Sequence, residues 1–226
     1  MRDALRAAAA IAVKDLAVEW RLRTAVVSSL AFAILVLAVL FLARDPTAVG
    51  AVDVAPSALW IAFSFAAMIG LNRAFLMERE NRALDGILLA PVPAWSLFLG
   101  KVAANLVLVM VVEAISLPLF VLFYDVPVWP RLPGLLLVMF TATLAFVVVG
   151  TLLSSMVVQT RSAELMLPLL LLPFLVPPVV GAVQVTSRLL AGRPLSEGEG
   201  WLRLLLAFDL VYLTLATYLF DDTLES

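Results

Sequence analysis

The chain has 226 residues, of which 64% are hydrophobic and 14% charged, and a mean hydropathy of +1.10; soluble domains are about half apolar and a quarter charged, so this is the composition of an integral membrane protein. Its 15 basic and 17 acidic residues leave a net charge of -2, too weak a field to recruit nucleic acid or an acidic partner. Neither Cys nor His is present, which excludes disulfides, thiolate nucleophiles, Cys-ligated zinc or iron–sulfur clusters, Ser-His hydrolysis and His-ligated haem within the chain.

The first element is amphipathic. Leu5, Ala9, Ala12, Leu16 and Trp20 recur at helical spacing, with Arg6, Lys14 and Arg21 elsewhere around the helix and Glu19 placed to pair with Arg23. Residues 1–23 are therefore expected to lie in the membrane interface, a cytoplasmic extension of the first span being the alternative. Crossing about 30 Å of hydrocarbon takes about 20 apolar residues, and six segments qualify: 24–43, 57–77, 96–124, 134–158, 165–185 and 201–220. The expected fold is all-α, a single permease domain over residues 1–226 with six transmembrane helices.

Basic residues set the orientation. With the N-terminus inside, Arg2, Arg6, Lys14, Arg21, Arg23, Arg73, Arg79, Arg82 and Arg161 fall on the cytoplasmic side, against Arg44, Arg131, Arg188, Arg193 and Arg203 outside. Both termini are then cytoplasmic. Trp20 and Trp95 fall at inner boundaries and Trp60, Trp129 and Trp201 at outer ones, as an interfacial belt would place them. The fifth span carries Pro168, Pro173, Pro177 and Pro178, which predicts a kinked or broken helix facing protein or a cavity.

Two groups of residues stand out as candidate sites. The stretch ERENRALDGILLAPVP, residues 78–93, gathers Glu78, Arg79, Glu80, Arg82 and Asp85 around Asn81, Leu84 and Gly86 in the longest inner loop. Its pattern suits a short helix from Glu78 to Leu89, with Leu84, Ile87 and Leu88 on one side, ended by Gly86 and by the breaks at Pro91 and Pro93. Such a helix can dock into a cleft of a soluble partner; a solvated, generically charged inner loop is the plain alternative. The second group is intramembrane. Glu113 lies twelve residues beyond Lys101, about 18 Å along a helix and near mid-membrane, where it can face a pathway or bond to Ser116 or a neighbouring span. Asp209 is the second such carboxyl. Arg73 and Lys101 lie near the inner boundary and can snorkel to phosphates, and Asn72 can bridge helices through its amide.

The chain holds no nucleotide-binding loop of its own. Gly100-Lys101 comes nearest to G-x-x-x-x-G-K-[ST], yet Trp95 occupies the first glycine position and Val102 the hydroxyl position. LSEGEG at 195–200 falls on the outer face and reads as a turn.

APSALW at 55–60, LNRAF at 71–75, ERENRALDGILLAPVP at 78–93, Lys101 followed by Ala103, Ala104 and Asn105, and LMLPLLLLPFLVPPVV at 165–180 together resemble the CcmB family, the heme exporter protein B permeases of cytochrome c maturation. The turn from Gln159 to Glu164 matches the basic turn expected of that family only at Arg161, and the C-terminus is short and acidic. The resemblance implies a non-catalytic permease subunit in the bacterial inner membrane, similar to six-helix ABC-2 exporters. It implies a separate CcmA-like ATPase that binds the ATP, with residues 78–93 as the coupling element. It further implies a second permease copy, CcmC- and CcmD-like membrane proteins, and haem as a handled substrate rather than a resident cofactor. A lipid or amphiphile exporter, and a scaffold for a haem-handling complex, are the alternative readings.

Overall fold

The computed structural model describes residues 2–45, 47, 50–80, 93–157 and 163–225. All regular structure among them is helical: α1 (Arg2–Leu22), α2 (Thr24–Leu42), α3 (Ala51–Glu80), α4 (Ala94–Tyr124), α5 (Leu132–Val157), α6 (Ala163–Leu190) and α7 (Glu199–Glu225), with 3-10 turns at Trp129–Arg131 and Leu195–Gly198. Six of these helices, α2 to α7, are long and apolar enough to cross a membrane. LSEGEG comprises the 3-10 turn Leu195–Gly198 and the first two residues of α7.

Helices α3 and α5 form the centre of the bundle, with α2, α4, α6 and α7 around them. Their residues are accordingly the most buried. Small side chains make this possible. On α2 the buried residues are Ala25, Ser29, Ala33 and Leu37, one per turn; on α3 Ala62 and Ala66 are buried at the same spacing, followed by Gly70, where a Cβ would come within 3.0 Å of the Ser29 hydroxyl. Lipid is as apolar as leucine, so close backbone approach and dispersion, rather than escape from water, hold such a helix pair together.

The first helix is not an extension of α2. Arg23 takes a left-handed conformation (φ 57°) between them, and α1 folds back onto the start of α4, where a Cβ on Gly100 would lie 2.7 Å from the Ala8 carbonyl oxygen. Glu19 does not serve Arg23 as the sequence suggested. Its carboxylate is buried and accepts the backbone N–H groups of Ala25 (2.8 Å) and Val26 (3.0 Å), satisfying donors that the start of any helix leaves orphaned. The stripe Leu5 to Trp20 borders the face that packs on α4, leaving Leu5 52% and Trp20 76% exposed.

Two further expectations are corrected. Trp60 is no interfacial belt residue: it is fully buried, its indole N–H donates to Thr186 Oγ1 at 2.9 Å, and its ring meets Phe63 and Phe146 edge-on. A helix at the centre of the bundle buries what a peripheral one would show to lipid. Of the kinked or broken fifth span expected, the break is absent: α6 runs unbroken from Ala163 to Leu190 through all four prolines. Each proline removes one N–H, but unwinding would orphan several more groups with no water to receive them. The observed helices also extend past the expected spans, α3 beginning at Ala51 rather than Ser57 and α6 ending at Leu190 rather than Val185.

Candidate functional site

The charged stretch begins as the end of a long helix. Glu78, Arg79 and Glu80 belong to α3, and the rest of the short helix expected from Glu78 to Leu89 lies outside the described residues; α4 begins at Ala94 behind Pro93, whose carbonyl accepts from the Ser96 hydroxyl and backbone N–H. Asn81, Arg82, Leu84, Asp85 and Gly86 lie outside the described residues, as do the side chains of Arg73 and of Glu78 to Glu80. Residues 81–92 connect α3 to α4, which pack against each other.

Inside the bundle, α4 and α5 are joined by two polar rungs. Asn105 Nδ2 donates to Thr151 Oγ1 at 3.2 Å, and Thr143 Oγ1 donates to Glu113 Oε1 at 2.6 Å. The partners lie eight residues apart on both helices, so one antiparallel register makes both bonds, about 12 Å apart. All four side chains are buried. Glu113 bonds to the neighbouring span and not to Ser116, which donates instead to the Val112 carbonyl oxygen. Asn105 entered the sequence reading only as part of the family resemblance and Thr143 not at all; an amide and a hydroxyl in apolar spans are the signal, and only the helix pairing gives them partners.

Asp209 is also buried. It stands ten residues into α7 and Glu113 eleven residues from the end of α4 at Tyr124, so both carboxyls lie about 15 Å from the same end of the bundle. Helices α4 and α7 pack together. Asp209 Oδ1 and Oδ2 and Glu113 Oε2 have no hydrogen-bond partner. Lys101, expected to snorkel, is instead buried at 4% exposure on α4; Asn72 is half-buried on α3. Glu113 belongs to the α4–α5 ladder, Lys101 to α4, Asp209 to α7, and Asn72 and Arg73 to α3. Among the described residues no group of His, Cys, Asp and Glu is arranged to hold a metal ion.

An apolar groove of about 190 Å³ opens between α3 and α6, lined by Ile61, Phe65, Met68, Leu172, Val176 and Val180. Ser64 also lines it, but its hydroxyl donates to the Trp60 carbonyl oxygen at 2.5 Å, leaving little for a polar ligand.

The ladder carries a measurable energy. Thr143→Val is expected to lower stability, since it leaves Glu113 with neither oxygen bonded, whereas Thr151→Val removes a neutral bond and should cost less, about 0.6 kcal/mol. Reversible unfolding in mixed micelles checks the order. A Glu113→Leu change made together with Thr143→Val is expected to recover part of the loss, because removing both partners abolishes the unpaired group.

The sequence matches the CcmB protein family over residues 6–226. It is 29% identical over 139 residues to a heme exporter protein B of Paracoccus denitrificans, covering 62% of this chain and 63% of the relative. It is 27% identical over 135 residues to one of Rhodobacter capsulatus, covering 60% and 62%, and 29% identical over 184 residues to one of Pseudomonas aeruginosa, covering 80% and 81%. The first two matches span less than two-thirds of those relatives' length.

Proposed function

The chain belongs to the CcmB family, and on that premise we propose that it is the membrane permease subunit of an ABC transporter of cytochrome c maturation. In this reading it couples ATP hydrolysis by a separate CcmA-like subunit to the export of haem or to the release of a haem-loaded periplasmic chaperone. The carrying observation is the family match along nearly the whole chain, joined to the charged segment between α3 and α4. Three relatives bear the name heme exporter protein B. Six apolar helices suit a multi-pass membrane subunit, and the absence of a phosphate-cradling motif in the sequence supports placing ATP in a partner.

The subunit sits in the bacterial inner membrane with both termini cytoplasmic, and α1 lies along the inner leaflet with Leu5 and Trp20 toward lipid. Residues 78–93 grip the ATPase. A second permease copy completes the pathway, with CcmC- and CcmD-like proteins receiving or supplying haem. The chain has no His or Cys to ligate iron, which leaves only Met or Tyr as ligands, so haem in transit is held mainly by apolar packing and by Arg contacts to its propionates. Glu113 acts as an interhelical tie, whereas Asp209, with both oxygens unpartnered, is the residue proposed to meet a moving substrate or subunit.

The apolar groove between α3 and α6 favours one second reading, export of a lipid or other amphiphile. The deciding experiment expresses this chain with either the wild-type ATPase or an ATPase that binds but does not hydrolyse ATP, and measures holocytochrome c. Loss of holocytochrome c with the inactive ATPase is the expected result. Normal maturation with it would leave only a scaffold, and normal maturation in cells lacking this chain would point to another exported amphiphile.

A further inference from the structure

A small pocket lies where α2, α3 and α4 meet, lined by Ala25, Ser29, Ala66, Gly70, Asn105 and Val109 among others, with about 10 Å³ of free volume, the room for one water. Two polar groups border it. The Ser29 hydroxyl is 2% exposed and has no hydrogen-bond partner, although a serine in a helix can ordinarily donate to the carbonyl four residues earlier. Asn105 lines the same pocket, and its bond to Thr151 uses a single amide N–H. The remaining lining is aliphatic or glycine.

A buried hydroxyl without a partner costs free energy comparable to a lost hydrogen bond. In hydrocarbon no neighbouring solvent relieves that cost. An apolar pocket stays dry, but a pocket of one-water size with two polar side chains in its lining meets the conditions under which buried water is retained.

We propose that this pocket is a single-water site, in which one ordered water bridges Ser29 Oγ and the Asn105 amide. The water joins α2 to the ladder that Asn105 and Thr151 form between α4 and α5, so that one polar chain crosses α2, α4 and α5. Gly70 keeps the volume open, since a Cβ there would stand 3.0 Å from the Ser29 oxygen. The pocket is bordered by α3 and α4, the two helices that residues 81–92 connect. Movement of α2 against this pair then exchanges one water instead of breaking a direct side-chain bond.

The test is a high-resolution map of the full-length chain in lipid nanodiscs, together with thermal unfolding of wild type and Ser29→Ala. The expected map shows a density peak within hydrogen-bond distance of both Ser29 Oγ and the Asn105 amide. The expected Tm of Ser29→Ala is lower by about 2–4 °C, because the retained water loses one of its two partners. A map with the Ser29 hydroxyl turned to the Ala25 carbonyl and no density in the pocket would overturn the site. So would an unchanged or higher Tm for Ser29→Ala, the result of simply deleting an unpaired hydroxyl from a dry pocket.

Discussion

Replacing Leu84 with Asp, or Asp85 with Lys, is expected to release the ATPase from a permease that still inserts and accumulates in the membrane. If residues 78–93 dock into the ATPase, Leu84 supplies buried apolar contact and Asp85 a charge contact. A carboxylate at position 84 would be buried unpaired, and a lysine at 85 would meet the partner's own cationic group. Losses of about 2–5 kcal/mol are usual for such changes, which lowers retention by more than about tenfold. Insertion is governed by the apolar helices, which neither change touches. The measurement is co-purification of the ATPase with tagged permease, alongside permease abundance and holocytochrome c. Arg193→Glu is the control: Arg193 pairs with Glu197 at 3.6 Å in the α6–α7 connection and should leave ATPase retention unchanged. Full retention in both segment variants would reduce the charges of ERENRALDGILLAPVP to a solvated turn.

Trp60→Ala is expected to be the most damaging single change to the fold. The indole is fully buried on the central helix α3, bonded to Thr186 on α6 and packed on Phe146 of α5, so one side chain fills the junction of three helices. Truncating a buried tryptophan costs about 3–5 kcal/mol in soluble cores through lost transfer energy and the cavity left behind. Within a membrane the transfer part shrinks while the lost dispersion contacts remain. The expected outcome is a large fall in Tm and in membrane abundance. Trp60→Phe keeps most of the volume and loses the bond to Thr186, so a much smaller cost of about 0.6 kcal/mol is expected. A Trp60→Ala protein as stable as wild type would show that the junction can collapse around the gap. Trp60 would then be no keystone.

Much of the architecture was legible in the chain because the bilayer is a severe solvent. It demands about 20 apolar residues per crossing and satisfied backbone bonds throughout, so the six helices and their order could be read from hydropathy. The amphipathic first helix could be read from its 3.6-residue periodicity. Helix ends were less legible, as the extra turns at Ala51, Glu80 and Leu190 show, since an apolar boundary marks where lipid ends and not where a helix does. The break that the prolines of α6 suggested is absent for a related reason: in water a helix break is cheap, in hydrocarbon it is not.

The sequence by itself determined the solvent, the number of crossings, the absence of Cys and His chemistry and the place where charge is concentrated, because each of these depends on composition and local order alone. Which faces meet was decided only by the tertiary structure. Trp60 could be lipid-facing or central, Glu19 could pair with Arg23 or cap α2, Lys101 could snorkel or be buried, and Glu113 could bond within its helix or across to Thr143. A one-dimensional pattern gives each helix an apolar surface on nearly every side, so hydropathy cannot say which side packs on protein. Small residues, antiparallel register and the few polar groups that must find partners make that choice, and they make it only when the helices are brought together.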